Sequence, residues 1–509
     1  MKYIDDVLNK ITMYRLVLYV VFGLIGAALL LCSYGLLPYS PVRLLFSVGY
    51  ISLICIIFNW IFAKVFGVPA NVESVYITAG ILILIIAPPS SMMDAIYFSL
   101  ATWASVWAVA SKYIVAWNKK HIFNPVAFGV AITALTLGQS ANWWVGTSIL
   151  MPYVLVGGLL VVRKVMRSDL VYACILVAVA TILASKFILD SSMLGIAWKI
   201  FTNTPLLFFA FIMLTEPLTT PPRAYQQMIY GALVGLLFAP QMHIGPLYTT
   251  PELALLIGNI FVYIVSPKQR LVLTLTEKNK HSSDLYDFVF TPDQSFKFQA
   301  GQYVEWTLGH QAPDTRGNRR YFTLASSPTE SSVHLGVKFY PNSSTFKKTL
   351  SDMNIGDTVS VSQIAGEFTL PKSIHTKLVF IAGGIGVTPF RSMVQYMIDT
   401  GEKRNVHLLY SARTENDLIY KDIFDQAIER IGLVPTYVVN EYTKGDTVPH
   451  HMRTGFIDGD LIKSVIPDYT DRVFYISGPH GMVTAFETTL KQMGIKKDHI
   501  RTDFFPGFV

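Results

Sequence analysis

Apolar residues run in long blocks through the first half of the chain and in short alternating groups through the second. Up to residue 266 the blocks fall at 13–37, 42–63, 71–88, 92–115, 122–138, 145–162, 169–187, 194–215, 224–242 and 252–266. A helix needs roughly 20 apolar residues to cross a bilayer. Several blocks are shorter, and such pieces are tolerated in lipid only where protein or a cavity covers their backbone. The pattern predicts a multi-pass α-helical membrane domain of about ten spans over 1–266. From 267 the period changes. SPKQRLVLTLTEKNKHSSDLYDFVFTP, GQYVEWTL and HLGVKFY alternate apolar and polar positions between Gly, Pro and polar turns, which predicts an antiparallel β-barrel over 267–371. KLVFIAGGIGVTPFRSMVQYMI (377–398), NVHLLYSART (405–414) and RVFYISGPHGMV (472–483) each open on an apolar strand. Strands alternating with helices predict a parallel-sheet α/β domain over 372–509, with ligands at the carboxyl ends of the strands.

Composition agrees with a two-part chain. Of 509 residues 52% are hydrophobic, and the mean hydropathy of +0.42 is too apolar for a soluble enzyme of this size. The net charge is +7. With an even number of spans and an inside N-terminus, Lys64, Lys112, Lys119, Lys120, Arg163, Lys164, Arg167, Arg223, Lys268 and Arg270 fall inside. Arg43, Lys186 and Lys199 fall outside. The positive-inside rule then places the second half in the cytoplasm, with membrane lipid around the first. No basic run interleaves with aromatics, so nucleic acid is not an expected partner. Cys32, Cys55 and Cys174 are too few for a four-Cys iron–sulfur site, and no metal site is expected. The start, MKYIDDVLNKITMYR, is polar and leads into the first block without a small-residue cleavage site, so no cleavable leader is expected.

Two polar motifs interrupt the apolar half: HIFNPVAFG (121–129) and MLTEPLTTPP (213–222). Matched interruptions in two halves suggest a repeat whose broken helices face a central site, with Asn124, Glu216 and Thr219 as candidate binding residues. Equally, Asn-Pro and Glu-Pro begin and end helices. FNPVAFG and MLTEPLTTP resemble the paired signatures of a membrane-protein family that includes the D-type component of the Rnf complex and the B-type component of the sodium-pumping NADH:quinone oxidoreductase. The resemblance covers roughly residues 10–266. It implies two inverted five-helix repeats, flavin in the membrane and electron transfer across it. Many members attach FMN to a Thr in a Ser-Gly-Ala-Thr stretch. Here the corresponding loop is GQSANWWVG (138–146), so any FMN or riboflavin is expected to be non-covalent. Trp143 and Trp144 either stack on a flavin or quinone or belong to an interfacial Trp belt. His121 and His243 are the only histidines of this half, too few for two bis-His haems.

In the second half a strand, a glycine turn and a helix start, 377–398, form the arrangement that binds phosphates through backbone N–H groups. Gly383, Gly384 and Gly386 allow close approach. RYFTLASSP (320–328), followed by AGGIGVTP and SGPHGM, resembles the ferredoxin–NADP reductase family over about 267–509. In that family the first motif holds FAD. The resemblance implies that Arg320 pairs with the pyrophosphate, that Phe322 stands where a Tyr stacks on the isoalloxazine beside Tyr321, and that Thr323 lies near flavin N5. Ser344 and Thr345 start a helix at the pyrophosphate, and Gly301 and Gln302 fit a strand turn beside the FAD. Gly383, Gly384, Gly386, Thr388 and Pro389 are assigned to NAD(P)H. So are Ser411 and Arg413 at the adenosine ribose or a 2′-phosphate, and Gly478, Pro479 and Met482 near the nicotinamide. Ser477 replaces a frequent Cys, and with Phe322 and Thr323 it is a candidate catalytic residue. Phe504 or Phe505 covers the flavin or packs on the barrel. Read singly, Arg319 and Arg320 are a solvated pair and Phe322 is core.

The two halves together are expected to form a membrane flavoprotein oxidoreductase of a bacterial cell membrane. NAD(P)H gives hydride to FAD in the cytoplasm, and electrons pass through membrane-bound flavin to an extracytoplasmic acceptor, a flavoprotein for example. The alternatives are an NAD(P)H:quinone reductase, and an ion or solute carrier coupled to a reductase.

Overall fold

The computed structural model describes residues 7–8, 11–67, 72–117, 120–186, 193–245, 247–266, 271–310, 314, 318–341, 343–440 and 451–503. The chain divides into two compact units, Met1–Lys268 and Gln269–Val509.

In the first unit a helix occupies each apolar block. They are α1 (Met13–Ser33), α2 (Pro41–Val65), α3 (Val72–Ile85), α4 (Ala95–Ile114), α5 (Pro125–Leu137), α6 (Met151–Val165), α7 (Ser168–Lys186), α8 (Met193–Asn203), α9 (Leu206–Met213), α10 (Ala224–Phe238) and α11 (Pro251–Val265). The block 194–215 is split into α8 and α9, bent by 62°. Pro205 at the break has no N–H to give, and the end of α9, Phe209–Met213, is wound as a π-helix. Local chemistry sets other starts. Thr12, Asp94, Asn124 and Thr250 accept backbone N–H groups in the first turns of α1, α4, α5 and α11.

The two halves of this unit pack by one scheme. α1 meets α3, α2 meets α4, and α4 meets α5; correspondingly α6 meets α9, α7 meets α10, and α10 meets α11. A short hairpin precedes the last helix of each half: β1 (Ala116–Trp117) with β2 (Lys120–His121), and β3 (His243–Ile244) with β4 (Leu247–Tyr248). Equivalent helices from the two halves also touch, α1 with α6 and α5 with α11. Both pairs run antiparallel. Val20 lies against Gly157 while Leu16 clusters with Val161. Asn124, before α5, bonds Asn259 late in α11, while Trp143, after α5, bonds Glu252 at the start of α11. Three glycines bring helix backbones together. A Cβ at Gly129 would fall 2.3 Å from the Ala104 carbonyl oxygen of α4, and Cβ atoms at Gly231 and Gly235 would fall equally close to the Leu170 and Cys174 carbonyl oxygens of α7.

Ten full spans are more than these lengths support. Among the described residues α1 and α2 are long and apolar enough to cross a membrane alone, and the bent α8–α9 pair brings the number to three. Five other apolar helices have 10–17 residues. At 1.5 Å per residue these fall short of a ~30 Å hydrocarbon core.

In the second unit six antiparallel strands form one sheet in the order β8-β7-β10-β5-β6-β9: β5 (Leu271–Lys280), β6 (Leu285–Pro292), β7 (Tyr303–Thr307), β8 (Arg319–Thr323), β9 (Val333–Lys338) and β10 (Thr358–Ala365). Just beyond the edge strand β8, Ala325 N–H donates to the His334 carbonyl of the other edge strand, β9. Trp306, Phe288, Phe290 and Phe346 fill the interior. A second, wholly parallel sheet follows in the order β14-β13-β12-β11-β15-β16: β11 (Leu378–Gly383), β12 (Val406–Ala412), β13 (Val434–Val439), β14 (Met452–Thr454), β15 (Val473–Ser477) and β16 (Ile500–Asp503). β11 is buried along its whole length, as a central strand covered on both faces should be. The chain winds outward from β11 through β14 and returns beside β11 at β15. The strand order therefore switches between β11 and β15, where doubly wound sheets take ligands.

Candidate functional site

At the switch the carboxyl ends of three strands are in register. Gly383 of β11 faces Ser411 of β12, and Ala382 faces Ser477 of β15. Crowding favours glycine at both turns, against backbone at Gly386 and against the flexible Met482 side chain at Gly383. A Cβ on Gly386 would lie 2.5 Å from Gly478 Cα, and one on Gly383 would lie 2.1 Å from Met482 Sδ. Pro479 stands 3.3 Å from that same Gly383 position. Gly384 has φ 51 and open space around it. AGGIGVTP and SGPHGM thus converge on one cradle. Thr388 Oγ1 donates to the Ile385 carbonyl, and Pro389 opens the helix α13 (Thr388–Thr400). Arg413 is exposed just past β12.

The motif 320–328 runs from β8 toward that cradle. Leu324 N–H donates to the Gln302 carbonyl, and Gln302 Nε2 donates to the Gly366 carbonyl at 3.2 Å. Gly301 has φ 93, and a Cβ there would strike the Phe368 carbonyl oxygen at 2.2 Å. Arg320 is 7% exposed, so it is not a solvated surface cation. Its guanidinium lies 5.3 Å from the Phe346 ring centre, beside the start of helix α12 (Thr345–Asp352). Phe322 packs on the same ring at 6.0 Å, so barrel packing accounts for part of its placement. Tyr321 meets Tyr303 edge-on. Thr323 Oγ1 and Ser326 Oγ are buried with no hydrogen-bond partner among the described residues. A buried hydroxyl without a partner is costly, and these two fit a polar ligand such as a flavin ring edge. Ser344 Oγ caps Lys347 N–H. Thr345 Oγ1 is engaged by His310 and by the Asp314 N–H, and Thr345 N–H donates to Asp314 Oδ2. An internal carboxylate therefore sits where the sequence reading puts a phosphate. Phe504 and Phe505 lie outside the described residues.

The α13 helix carries a residue that local pattern does not reveal. Arg391 is buried and forms a bidentate pair with Glu330, and its Nη1 also donates to the Ala325 carbonyl. Ser392 Oγ donates to the Ser326 carbonyl at 2.6 Å. The helix that starts at the glycine turn is thereby bonded to the 320–328 motif. Asp503, beside Ser477 in register, also escaped the sequence reading. Burial pushes its carboxyl up to about 7.

In the first unit the two polar motifs do meet. Glu216 Oε2 accepts from Asn124 Nδ2 at 2.8 Å and from Thr219 Oγ1 at 3.2 Å, and His121 Nε2 lies 3.3 Å from Oε1. Asn259 joins them: its Oδ1 accepts the Asn124 N–H at 2.7 Å, and its Nδ2 donates to Tyr230. Asn124, Glu216 and Thr219 hold one another rather than present free donors, which does not fit a flavin-binding set. Trp143 and Trp144 are 6% and 4% exposed, not an interfacial belt. Trp143 Nε1 donates to Glu252, and Trp144 Nε1 to the Ile83 and Ile86 carbonyls. Whereas Glu216 is half-buried, Glu252, 2% exposed, is a buried acid at the start of α11. The signal for it was Thr250-Pro251, the counterpart of Asn124-Pro125 in the other repeat. His121 and His243 have separate partners, Glu216 and the Gly245 carbonyl.

A family model described as "Oxidoreductase NAD-binding domain" matches residues 380–488. The flavohemoprotein of Bacillus cereus (strain ATCC 14579) is 27% identical over 241 residues, covering 45% of this chain and 60% of that one. The glycine betaine monooxygenase reductase subunit of Chromohalobacter salexigens is 27% identical over 225 residues, covering 44% and 60%. The chain thus spans about three fifths of these relatives. Among solved structures, a cytochrome P450 reductase of Amycolatopsis matches at TM-score 0.42 and 23% identity, over 47% of this chain and 70% of that one. A ferredoxin NADP+ reductase of Neisseria gonorrhoeae with bound FAD and NADP matches at 0.40 and 18%, over 46% and 98%. The C-terminal half thus carries an oxidoreductase NAD-binding domain over residues 380–488 and is similar to known reductases.

Proposed function

We propose that this chain is a membrane-embedded flavoprotein oxidoreductase that oxidises NAD(P)H at the second unit and delivers electrons through the first unit to an acceptor beyond it. The observation that carries the reading is the joint between the two motifs. The α13 helix, which begins at the glycine turn, donates through Arg391 and Ser392 to the Ala325 and Ser326 carbonyls of the 320–328 motif. This fixes a nucleotide cradle against a barrel edge with unpartnered Thr323 and Ser326 hydroxyls. Bound FAD supplies the exchange of hydride for single electrons. Arg320 and the Ser344–Thr345 helix start hold its pyrophosphate, with Asp314 withdrawn from Thr345. Gly383, Gly384, Gly386 and Gly478 admit the nucleotide, Thr388 and Pro389 start the helix that receives it, and Ser411 and Arg413 read the adenosine end.

For the first unit, the repeated helix packing, which we read as inverted, and its buried polar centre support a conduit in a bacterial cell membrane, with the reductase on the cytoplasmic side. Shorter helices complete the ten crossings by local thinning of the bilayer and by mutual cover. The acceptor in this reading is an extracytoplasmic flavoprotein. A quinone is the second reading, favoured by the His121–Glu216 pair, which can hand on the protons that quinone reduction consumes.

The test is vesicles of the full chain with NAD(P)H on the reductase side and an impermeant dye on the other, alongside flavin counted by type. Dye reduction supports the conduit, and its absence refutes it. One FAD per chain with quinol formation selects the quinone reading. FMN or riboflavin beyond the FAD selects a second flavin in the first unit.

A further inference from the structure

Between the barrel and the parallel sheet lies a buried polar bridge that neither the flavin contacts nor the glycine turn uses. Asp287 of β6 is 4% exposed. Its Oδ1 accepts from the Tyr420 hydroxyl at 2.7 Å, and its Oδ2 lies 2.8 Å from His334 Nδ1 on the neighbouring strand β9. Glu330, in the turn before β9, receives the Arg391 fork from α13. The Arg391 guanidinium stands 5.6 Å from the Tyr420 ring centre, so the two bridges touch. Gly336 of β9 fits between them. A Cβ there would meet Thr388 at 2.9 Å and the Tyr420 hydroxyl at 3.0 Å.

Tyr420 carries a second signal. It precedes the helix Lys421–Ile431 with φ 63, a left-handed backbone on a bulky residue. Such a conformation is costly and persists only where surrounding contacts over-determine it. Here the overriding contact is the bond across to the barrel. Burial, with the Asp287 charge added, pushes the phenol well above its usual range, so it remains a donor.

We propose that Tyr420 with Asp287, and Arg391 with Glu330, are positioning residues that set how closely the nicotinamide cradle approaches the flavin edge of the barrel. The inference rests on the proposed function above. The step served is hydride transfer, in which two electrons and a proton leave the reduced nicotinamide, which is oxidised, for the flavin, which is reduced. The clamp grips both sides of that gap. Arg391 holds the Ala325 carbonyl in the flavin motif, and Tyr420 holds β6, while both belong to the nucleotide layer. A shift of about 1 Å in such a gap costs up to ~100-fold in rate.

The test uses the full chain in detergent with Tyr420→Phe, Asp287→Asn and the double variant. Arg391→Lys is the companion that keeps charge but loses the fork. Anaerobic stopped-flow reads flavin reduction at saturating NADH or NADPH, with and without deuterium at nicotinamide C4. Each single variant is expected to slow the limiting reduction about tenfold and to raise the isotope effect, while nucleotide Kd and FAD content stay within about twofold. The double variant loses no more than the more damaged single one, because both substitutions act on the same Tyr420–Asp287 contact. Without nucleotide, amide exchange over Leu285–Pro292 and Thr388–Thr400 is expected to quicken. Quicker exchange with an unchanged reduction rate makes the bridge merely structural and overturns the clamp. Additive losses overturn it as well. A wild-type chain whose FAD neither nucleotide reduces overturns the proposed function and the clamp together.

Discussion

Substituting Gly386 by Ala tests the nucleotide cradle with a single methyl group. The added Cβ falls 2.5 Å from Gly478 Cα and from the Ser477 carbonyl oxygen, and 2.6 Å from Gly478 N. All three are backbone atoms, so no rotamer relieves the clash. Ordinary contact begins near 3.4 Å, and 3.4 less 2.5 leaves about 0.9 Å by which the ends of β11 and β15 must separate. Overpacking of this kind costs about 1–3 kcal/mol. In a unit of this size each kcal/mol lowers the melting midpoint by about 2–4 °C. The displacement also lies where the nucleotide docks, so kcat/KM for NAD(P)H–dye reduction is expected to fall about 10–100-fold. Gly384→Ala is the control. Its Cβ meets nothing within 4 Å but its φ is +51, so Ala there bears about 1–2 kcal/mol of left-handed backbone strain. The unfolded chain returns about 0.4–1 of this. Steady-state dye reduction, FAD content and thermal midpoints would be measured on both variants in detergent. If Gly386→Ala keeps its rate and midpoint, or Gly384→Ala is the more damaged, the crowding argument is wrong.

Three further outcomes follow from buried charge. Asp468→Asn strands Arg472, which is 2% exposed and bonded to both Asp468 oxygens. Asp468 is partly open, so the loss at pH 7 is about 2 kcal/mol, below the range for a fully buried pair. Hydrogen bonds from Arg472 and Lys377 hold the Asp468 carboxyl below its usual range. Its contribution is therefore complete at pH 7 and drains away as pH falls below about 3.8, so denaturation curves of variant and wild type should converge at low pH. Asp503 has the opposite sign. With its carboxyl pushed up to about 7, the folded chain takes up a proton between about 4 and 7, and stability declines as pH rises through that window. Asp503→Asn should raise the midpoint at pH 8 and leave it nearly unchanged at pH 4, and equal effects at both would contradict the burial. Glu216→Ala removes the acceptor of Asn124 and Thr219. It should cost the first unit about 1–3 kcal/mol in thermal denaturation, while reduction of FAD by NAD(P)H proceeds at the wild-type rate; an unaltered midpoint would refute the buried cluster.

Periodicity located the helices and the β11 strand because burial on one face or on both is written locally. The glycines of AGGIGVTP and SGPHGM were legible for the same reason. Partners distant in sequence were not. Nothing near Arg391 announces Glu330, 61 residues away, and Asp287 meets Tyr420 across 133. The Trp143–Trp144 pair misled because tryptophan at a span end is usually interfacial, whereas here Glu252 and two backbone carbonyls satisfy the indoles inside the bundle. At Thr345 the unforeseen feature is an internal partner, Asp314 of the same chain, bonded at the helix start.

The glycine contacts of the first unit have a mechanical meaning. Where Gly129 meets the Ala104 carbonyl, and Gly231 and Gly235 meet those of α7, no side chain separates the two backbones. α4 with α5, and α7 with α10, are therefore stiff beams that cannot slide past each other without colliding peptide groups. Compliance is left to the bent α8–α9 elbow with its π-wound end. Electron tunnelling falls steeply with distance, and carriers mounted on such beams would keep a fixed separation. In the proposed conduit the rate would then be set by architecture, with the α8–α9 elbow as a joint through which it can be tuned.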